Sequence, residues 1–430
     1  MNGEDPIAAI RSIVDGGQLA GAATLIWRNG KVVLSECVGW RDIGAGLPIE
    51  RDTMFRIASM TKPLTSTAAL MLFEDGRFRL EDPITRWAPE FSEMRVLRSP
   101  NGPLDQTDPA QRPITFEDLL THRSGLTYGS FHSGPIAKAY DAELGGDIDT
   151  EVAPDDWIAG LAGLPLIDQP GSAFHYSHST DLLGLLIARM EGAPLGDVLD
   201  RRIFGPLGMH DTGFTVPPEK RGRRAGLYGF DEAGRLTARL TGPGGSTMPE
   251  RPTDMAYVSG GQGLWSTVDD YLAFARMFVG EGAVDGVRLL QPATLALMAS
   301  NRLTEPQRLE SRMMGMPIFA AAHGFGMGVA VVLDPEKASP TLCRGGVGTV
   351  GWPGAFGGWW QADPNDGSVL ILLAHNMIEL DQLAKGIGLG AYEARAQFHA
   401  LASAWRVVPE RCVDVSKELE SCRTCPDGTS

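Results

Sequence analysis

The sequence has no long apolar run. No stretch of its 430 residues approaches the ~20 consecutive apolar residues that a helix needs to span a bilayer. Residues 1–6 also lack the basic and apolar segments of a signal peptide. These absences predict a cytoplasmic protein that does not associate with membranes.

Positive charge is scarce as well. The chain has 38 Lys and Arg residues against 53 Asp and Glu residues, which gives a formal net charge of -15. Binding of nucleic acid is therefore not expected, because neutralising phosphates requires surface Lys and Arg. The one basic cluster, Lys220–Arg224, follows two prolines and is predicted to be a solvated loop.

Cysteine is rare and its count is odd. Five cysteines in a chain of this size do not indicate a disulfide framework. Cys422 and Cys425 have the spacing of a metal-ligand pair, but only Cys412 precedes them closely and no histidine follows His399. Four-coordinate zinc needs four donors. We therefore predict no metal and no cofactor, and a polar C-terminal tail over residues 406–430.

The motif with the most chemical information is S-x-x-K at Ser59–Lys62, since G-x-S-x-G and H-E-x-x-H are both absent. Pro63 and the helical pattern from Leu64 onward place this motif at the start of a helix. Residues i and i+3 lie on one face of a helix, so the Ser59 hydroxyl and the Lys62 amine can approach each other. A desolvated lysine can accept the hydroxyl proton while the serine attacks a carbonyl. The motif therefore predicts acyl transfer through a serine ester.

Two further segments contain the other groups that this chemistry needs, namely a proton path and an oxyanion site. Tyr176 follows a Pro-Gly pair, and a nearby lysine cation would favour its tyrosinate form, although the segment alone also fits an ordinary half-buried tyrosine. Residues 351–358 contain four glycines, which permit a close backbone approach to a ligand. The N–H groups of Ala355 and Ser59 could bind a carbonyl oxygen there, and an ordinary glycine-rich turn is the alternative.

The hydrophobic patterns predict an α/β fold of the α+β type, with an antiparallel sheet flanked by helices and a second, mostly helical lobe. The expected division is an α/β lobe of residues 1–82 and 256–405 and a helical lobe of residues 83–255, with the site between them. The predicted elements are helices at 6–17, 116–120, 181–191, 268–279 and 380–402, strands at 22–26, 32–38, 327–333, 359–362 and 368–374, and long loops at 97–113, 123–156 and 212–254.

These segments, in this order, resemble the serine β-lactamase and penicillin-binding-protein superfamily. They look most like the family VIII carboxylesterases, which are related to class C β-lactamases. The resemblance covers roughly residues 10–400 and implies a β-lactamase-like fold. The supporting strings are Ser59–Pro63, Leu119–Leu126, Tyr176–Ser177, Phe204–Met209 and Gly263–Thr267.

The resemblance implies a role for each matching residue. Ser59 is the expected nucleophile. Lys62 and Tyr176 are the expected proton-transfer residues, and which of them is the general base stays open because a coupled pair titrates as a unit. The N–H groups of Ser59 and Ala355 would form the oxyanion hole. The expected substrate-binding residues are Trp352, Gly354, Phe356 and His178.

Two positions depart from the β-lactamases of this class. His178 stands where their Y-x-N motif has asparagine, and Trp352-Pro353-Gly354 stands where they have K-T-G. The lysine that helps to bind the carboxylate of a β-lactam is therefore replaced by an aromatic residue, as is usual in family VIII esterases. This replacement favours neutral, apolar esters over penicillins.

The leading hypothesis is a carboxylic ester hydrolase with a small-molecule ester substrate. Among enzymes, the alternative is a β-lactamase, a D-aminopeptidase or an acyltransferase on the same scaffold. Among binding proteins, the alternative is a non-catalytic homologue that keeps the fold. Trp359 and Trp360 either line an acyl pocket or belong to the core. The natural ester, the acyl-chain preference and the oligomeric state stay open.

Overall fold

The computed structural model describes residues 7–240, 247–248, 250–313, 315–377, 379, 382 and 385–404. Among these residues, no helix is both long and apolar enough to cross a membrane, and no group of three or more His, Cys, Asp or Glu residues is placed to hold a metal ion. The predicted polar tail and its cysteines, Cys412, Cys422 and Cys425, lie outside the described residues.

The helices are α1 (Ala8–Asp15), α2 (Thr61–Glu74), α3 (Phe116–Leu120), α4 (Pro135–Leu144), α5 (Pro154–Gly163), α6 (Ser179–Glu191), α7 (Leu195–Leu199), α8 (Gly205–Leu207), α9 (Val268–Ala275), α10 (Pro292–Met298), α11 (Glu305–Glu310) and α12 (Gly390–Ala404). The strands are β1 (Gly21–Arg28), β2 (Lys31–Asp42), β3 (Leu47–Pro48), β4 (Phe55–Arg56), β5 (Arg95–Leu97), β6 (Thr107–Pro109), β7 (Leu227–Phe230), β8 (Leu236–Arg239), β9 (Trp265–Ser266), β10 (Ala283–Val284), β11 (Val287–Arg288), β12 (Arg312–Met313), β13 (Met316–Pro317), β14 (His323–Phe325), β15 (Ala330–Val332), β16 (Val350–Gly351), β17 (Trp359–Asp363) and β18 (Ser368–Ala374).

Within the described residues, the largest sheet has eight strands in the order β14-β15-β16-β17-β18-β1-β2-β3. Neighbouring strands are antiparallel, and strands from the two ends of the chain lie side by side because β1 is paired with both β18 and β2. The β1–β2 hairpin turns at Asn29 and Gly30, whose φ angles of 53° and 80° are the left-handed values that such a two-residue turn requires. The two hairpins predicted from the sequence, β1–β2 and β17–β18, are confirmed.

The central strands are buried on both faces, which explains their nearly continuous apolar sequence. In β18, Val369, Ile371 and Leu373 pack into the main core, whereas Leu370 and Leu372 pack into a second core. Helices α1 and α12 cover the second core, and α9 packs against β1 and β18. The sheet therefore lies between two helical layers, which is the predicted antiparallel sheet flanked by helices.

Helix α2 lies in the middle of the main core. Every residue from Thr61 to Leu70 is buried, including the polar ones. Helix α6 packs against α2 and α3, and the Thr65 hydroxyl donates to the Gly260 carbonyl oxygen at 2.6 Å. Because buried polar groups need hydrogen-bond partners, these contacts fix the rotation of α2 and the direction of the side chains at its amino end.

The three predicted loops contain regular structure, so this part of the prediction was wrong. Residues 123–156 include α4, which begins after Gly134 and ends at Gly145, where φ is 72°. Residues 212–254 include the β7–β8 hairpin, and residues 97–113 include β6. Glycine and proline at the ends of these elements gave the segments the composition of loops.

Other predicted elements also differ in their bounds from the structure. The strand predicted at 327–333 is limited to β15, because Gly328 has a φ of 90° and belongs to the turn from β14. The helix predicted at 380–402 lies partly outside the described residues, and its described part α12 follows Gly386 and Gly388, whose φ angles are 78° and 83°. The boundaries of the two predicted lobes stay a prediction.

Candidate active site

Ser59 lies in a strained turn at the amino end of α2. Strand β4 leads into a 3-10 turn, Ala58–Met60, in which Ala58 has a φ of 44°. A non-glycine residue in this left-handed region costs of order 1–3 kcal/mol and persists only when its surroundings hold it there. The Tyr271 hydroxyl donates to the Met60 carbonyl oxygen at 3.0 Å and is one such restraint. The turn presents Ser59 just before the first residue of the helix, close to the predicted position.

Lys62 is completely buried and has three hydrogen-bond partners. Its Nζ lies 3.3 Å from Ser59 Oγ, 3.2 Å from the Tyr128 hydroxyl and 2.9 Å from the Gly261 carbonyl oxygen. Burial lowers the pKa of Lys62 to about 7, and the charge of Asp181 opposes this shift. The amine therefore changes its protonation state near neutral pH, within hydrogen-bond distance of the serine.

Tyr176 contacts both of these residues. Its hydroxyl is hydrogen-bonded to the Ser59 hydroxyl and accepts a hydrogen bond from Trp352 Nε1 at 3.0 Å. Lys62 Nζ lies 4.5 Å from the centre of the Tyr176 ring. Burial raises the pKa of Tyr176 more than its hydrogen bonds lower it, so the phenol is neutral. The expected shift toward tyrosinate was therefore wrong, because burial outweighs the hydrogen bonds with Ser59 and Trp352 and the charge of Asp181 raises the pKa further.

A second tyrosine, Tyr128, also contacts Lys62. The Tyr128 hydroxyl donates to Asp181 Oδ2 at 3.2 Å, which leaves its oxygen free to accept a hydrogen bond from Lys62. Burial and the Asp181 charge raise the pKa of Tyr128 well above its usual value. Tyr128 is thus a neutral phenol whose proton is held by a carboxylate. We call Ser59, Lys62, Tyr128 and Tyr176 the Ser59 cluster.

Asp181 is a fully buried carboxylate that borders this cluster. It accepts hydrogen bonds from Tyr128, from the Gly261 N–H at 3.0 Å and from the Ser259 hydroxyl. Burial alone would raise the pKa of Asp181, but a hydrogen bond with His178 and the nearby positive charges lower it. A Cβ on Gly261 would come within 2.9 Å of Asp181 Oδ1, so this close approach of the backbone requires glycine.

His178 is enclosed by two carboxylates. Its Nδ1 lies 3.0 Å from Asp181 Oδ2, and its Nε2 lies 3.4 Å from Asp147 Oδ1. Burial alone would lower the pKa of His178, but the two carboxylates raise it and so favour the imidazolium form. The His178 side chain is 1% exposed and contacts the Ser59 cluster through Asp181 and through the edge-on Tyr128 ring, whose centre lies 4.3 Å from that of the imidazole. This geometry does not support the predicted contact between His178 and a substrate.

Trp352 and Phe356 bring the glycine-rich segment onto the site. Trp352 contacts Tyr176 as described above, and Phe356 packs against Ala58, the residue before the serine. Each of the two aromatic side chains is 2% exposed. They therefore form the wall of the site, and most of each ring is covered by protein.

Gly354 and Ala355 lie beside the turn that contains Ser59. A Cβ on Gly354 would lie 2.5 Å from the Ile57 carbonyl oxygen, so the segment can approach this closely only with glycine there. The Gly354 N–H donates to the Gly358 carbonyl oxygen at 2.8 Å. In the described part of the chain, the N–H groups of Ser59 and Ala355 have no backbone acceptor. These are the two donors predicted for the oxyanion hole.

Trp359 and Trp360 belong to the two cores. Trp359 packs into the core covered by α1 and α12. Trp360 contacts Tyr271 and Phe278 in the main core, with ring centres 5.6 Å and 5.2 Å apart. Of the two alternatives for these residues, the core position is therefore confirmed.

Sequence reasoning missed Tyr128, Asp147 and Asp181. Tyr128 follows the Leu119–Leu126 string by two residues, and nothing in its segment indicates a contact with Lys62. Asp181 begins the predicted helix at 181–191, and a carboxylate in the first turn of so apolar a helix was a usable signal. Charged residues are rarely buried without a specific partner. The apolar residues around Asp181 therefore indicated that its carboxylate has such a partner.

The β-lactamase family model matches residues 7–389 of the chain, which is most of its length. The chain belongs to the β-lactamase family. This membership agrees with the observed fold, in which a large antiparallel sheet is flanked by helices. It also agrees with the position of the S-x-x-K motif at the amino end of a buried helix.

Relatives of this β-lactamase-family protein cover most of its length. Protein Rv1367c of Mycobacterium tuberculosis is 47% identical over 380 residues, which are 88% of this chain and 92% of that protein. Esterase EstB of Burkholderia gladioli is 30% identical over 374 residues, 84% of this chain and 87% of that protein. The solved structure of EstCE1, "a hydrolase with promiscuous acyltransferase activity", has a TM-score of 0.73 and 26% identity over 92% of this chain and 98% of that one. The resemblance to family VIII esterases related to class C β-lactamases is confirmed.

Proposed function

We propose that this protein hydrolyses carboxylic esters through an acyl-enzyme intermediate on Ser59. One observation carries the proposal: the buried amine of Lys62, with a pKa of about 7, lies 3.3 Å from Ser59 Oγ. A serine hydroxyl is a weak nucleophile until an adjacent base removes its proton. The similarity to EstB, which is named an esterase, supports an ester as the acyl donor.

Lys62 is the general base in this proposal, and the pattern of hydrogen bonds is the reason. A neutral amine has two N–H donors and one lone pair. The Gly261 carbonyl oxygen can only accept, and the Tyr128 oxygen is left as an acceptor because its proton goes to a carboxylate. These two groups take the two N–H donors. The lone pair is then left for the proton of Ser59.

The reaction follows from these positions. Ser59 Oγ forms a bond to the ester carbonyl carbon while its proton moves to Lys62. The carbonyl oxygen becomes an oxyanion that the N–H groups of Ser59 and Ala355 bind. The oxyanion then re-forms the carbonyl as the bond from its carbon to the alkoxy oxygen breaks. Tyr176, a neutral phenol hydrogen-bonded to Ser59, gives that oxygen its proton and is reprotonated from Lys62. In the second half, Lys62 takes a proton from water while the water oxygen bonds to the acyl carbon. The bond from that carbon to Ser59 Oγ then breaks, Ser59 Oγ receives the proton, and the acid leaves.

The residues around Tyr176 support a neutral, apolar substrate. Phe131 stacks on Tyr176 with ring centres 6.3 Å apart, and Phe325 meets Trp352 edge-on at 5.2 Å. A β-lactam would place its carboxylate against these aromatic side chains, where Trp352 stands in place of the K-T-G lysine that binds such a carboxylate. An ionised group against an apolar surface loses hydration without gaining a partner, which is unfavourable. We therefore expect uncharged esters to react faster than penicillins or cephalosporins.

The test is hydrolysis of nitrophenyl esters from acetate to laurate, beside a chromogenic cephalosporin and D-amino-acid amides. We expect turnover of the esters, with a preference among chain lengths that reports the size of the acyl pocket, and slow or no turnover of the other substrates. Fast cephalosporin turnover with poor ester turnover would identify a β-lactamase instead. No turnover, together with no labelling of Ser59 by a fluorophosphonate, would favour the non-catalytic binding protein.

Transfer of the acyl group to an alcohol is a second candidate function. The similarity to EstCE1, which is described as having promiscuous acyltransferase activity, favours it. An alcohol can replace water in the second half of the reaction, because both need only a base to remove one proton. Product analysis with a short-chain alcohol added to the ester assay separates the two functions. A new ester accumulates only if the alcohol competes with water.

Tyr176→Phe is expected to lower kcat at least ~100-fold, because a positioned proton-transfer group typically contributes this much or more. Tyr128→Phe is the comparison, since Tyr128 is also buried against Lys62. We expect it to lose only about 10-fold, because Tyr128 orients the lysine while its own proton stays with Asp181. Initial rates with saturating nitrophenyl ester measure both. A loss below about threefold in Tyr176→Phe would make Tyr176 a structural residue.

Activity is expected to depend on pH through Lys62. The amine must be neutral to accept the Ser59 proton, so kcat/KM should rise as the pH increases through about 7 and then level off. Rates with one nitrophenyl ester between about pH 5 and pH 9 give this profile, and circular dichroism at each pH checks that the protein stays folded. A profile that is flat, or that falls with increasing pH, would exclude Lys62 as the base.

A further inference from the structure

A line of polar side chains connects Lys62 to the edge of the protein. Tyr128 links Lys62 to Asp181, and His178 links Asp181 to Asp147. The side chains of His178 and Asp181 are 1% and 0% exposed, whereas that of Asp147 is 27% exposed. The reaction described above uses the inner end of this line and gives no role to His178 or Asp147.

We propose that His178, which forms an ion pair with Asp147 at 3.4 Å, is a positioning residue that supplies a positive charge next to Asp181 and thereby keeps Lys62 available as a base. The proposal rests on the ester hydrolysis proposed above and adds a residue to it. His178 does not touch the reacting atoms and acts through Asp181.

The charges of the three groups support this role. Against the effect of burial, the two carboxylates raise the pKa of His178, and contact with His178 lowers the pKa of Asp147 and Asp181. Both effects favour one imidazolium between two carboxylates. An opposite charge within a few Å favours the charged form of a lysine. Without the imidazolium, the Asp181 carboxylate would act on Lys62 unopposed and hold it as an ammonium ion.

The other titratable groups packed around His178 and Lys62 in the described structure are neutral. Burial raises the pKa of the tyrosines among them and lowers the pKa of the histidine. These groups are Tyr128, Tyr140, Tyr176, Tyr257 and His122. Among these groups, Asp181 is the charge that acts on the Lys62 amine, His178 acts on Asp181, and Asp147 acts on His178.

Removing the imidazolium is expected to raise the pKa of Lys62. Asp181 would keep its hydrogen bonds from Tyr128, Ser259 and the Gly261 N–H, and these donors hold a carboxylate in its ionised form. Its charge would then stabilise the Lys62 ammonium without an opposing positive charge. Lys62 would then stay protonated up to a higher pH, so kcat/KM would also begin to rise at a higher pH.

The test variant is His178→Asn, which removes the charge and keeps a short polar side chain. We expect the rise of kcat/KM to move up by about one pH unit, with KM nearly unchanged at high pH. Labelling of Ser59 by a fluorophosphonate should show the same shift, since it reports acylation without an ester substrate. His175→Asn is the matched control, because His175 pairs with Asp168 at 3.3 Å and is 27% exposed. Its profile should coincide with that of the wild type.

Two outcomes would overturn the proposal. In the first, His178→Asn lowers kcat/KM by the same factor at every pH and the pH profile does not shift, as expected for a purely structural role. If that variant does not fold, Asp147→Asn decides, because loss of Asp147 weakens the hold on the imidazolium and should give a smaller shift to higher pH. The second outcome that would overturn the proposal is a pH profile of kcat/KM that is unchanged in Asp147→Asn or that moves to lower pH. Absence of ester turnover in the wild-type protein would instead contradict the proposed function.

Discussion

Ser59→Ala is expected to leave less than ~1% of the wild-type turnover of a nitrophenyl ester, because no acyl-enzyme can form without the hydroxyl. The fold should be retained. Lys62 keeps two of its three hydrogen-bond partners in this variant, and the Tyr176 hydroxyl keeps the donor on Trp352. The loss should therefore appear in kcat, while the thermal unfolding curve stays close to that of the wild type.

Ser66→Ala is the matched control for this prediction. Ser66 is buried on the same helix, and no partner for its hydroxyl exists within the described residues. The change should leave kcat within about twofold of the wild type, since it removes no hydrogen bond. A fluorophosphonate located by peptide mass spectrometry should label Ser59 in the wild type and in the control. Turnover above ~1% in Ser59→Ala, or a label on another residue, would exclude Ser59 as the nucleophile.

The sequence could predict the part of the site that is encoded locally. Ser59 and Lys62 are three residues apart at the start of a helix, so helix geometry alone brings their side chains together. Tyr176 and Trp352 lie far away in the chain, and they were found through their resemblance to family motifs. The structure brings all four residues into contact.

The sequence could not predict the polar contacts that surround Lys62. Tyr128 and Asp147 are unremarkable in their own segments, and for Asp181 only its place in an apolar helix gave a signal. Asp181 joins the site because α6 packs against α2, and Tyr128 and Asp147 join it through their contacts with Asp181 and His178, all of which are long-range in sequence or cross between elements. Protonation depends on burial as well as on neighbouring charges. Burial keeps Tyr176 a neutral phenol although it lies beside a lysine.

The fold shows the same division between local and long-range information. The β1–β2 and β17–β18 hairpins were predicted because their turns and alternating strands are local. Helix α4 was missed because glycine on either side of it gave its segment the composition of a loop. Its buried residues, Ile136, Tyr140 and Leu144, recur at the four-residue spacing of a helix face. Weighting this spacing above composition would have identified α4.

Lys62→Arg is expected to lower kcat ~1,000-fold although it keeps the positive charge, a loss within the range of a proton-transfer group. Arginine stays protonated throughout the accessible pH range, so it cannot accept the Ser59 proton. Lys62→Met removes the charge, keeps an unbranched side chain and should lose as much. If Lys62 contributed only a positive charge, the arginine variant would stay active and only the methionine variant would fail.

Lys220→Arg is the control, because Lys220 forms an ion pair with Asp211 at 2.8 Å and is partly exposed. Its kcat should stay within about twofold of the wild type. Raising the pH should rescue neither variant of Lys62, because neither has a group that becomes a base there. If Lys62→Arg kept more than about a tenth of the activity, Tyr176 would have to remove the Ser59 proton. His178 would then lose its proposed role as well, because its charge could not move a pH profile that Lys62 does not control.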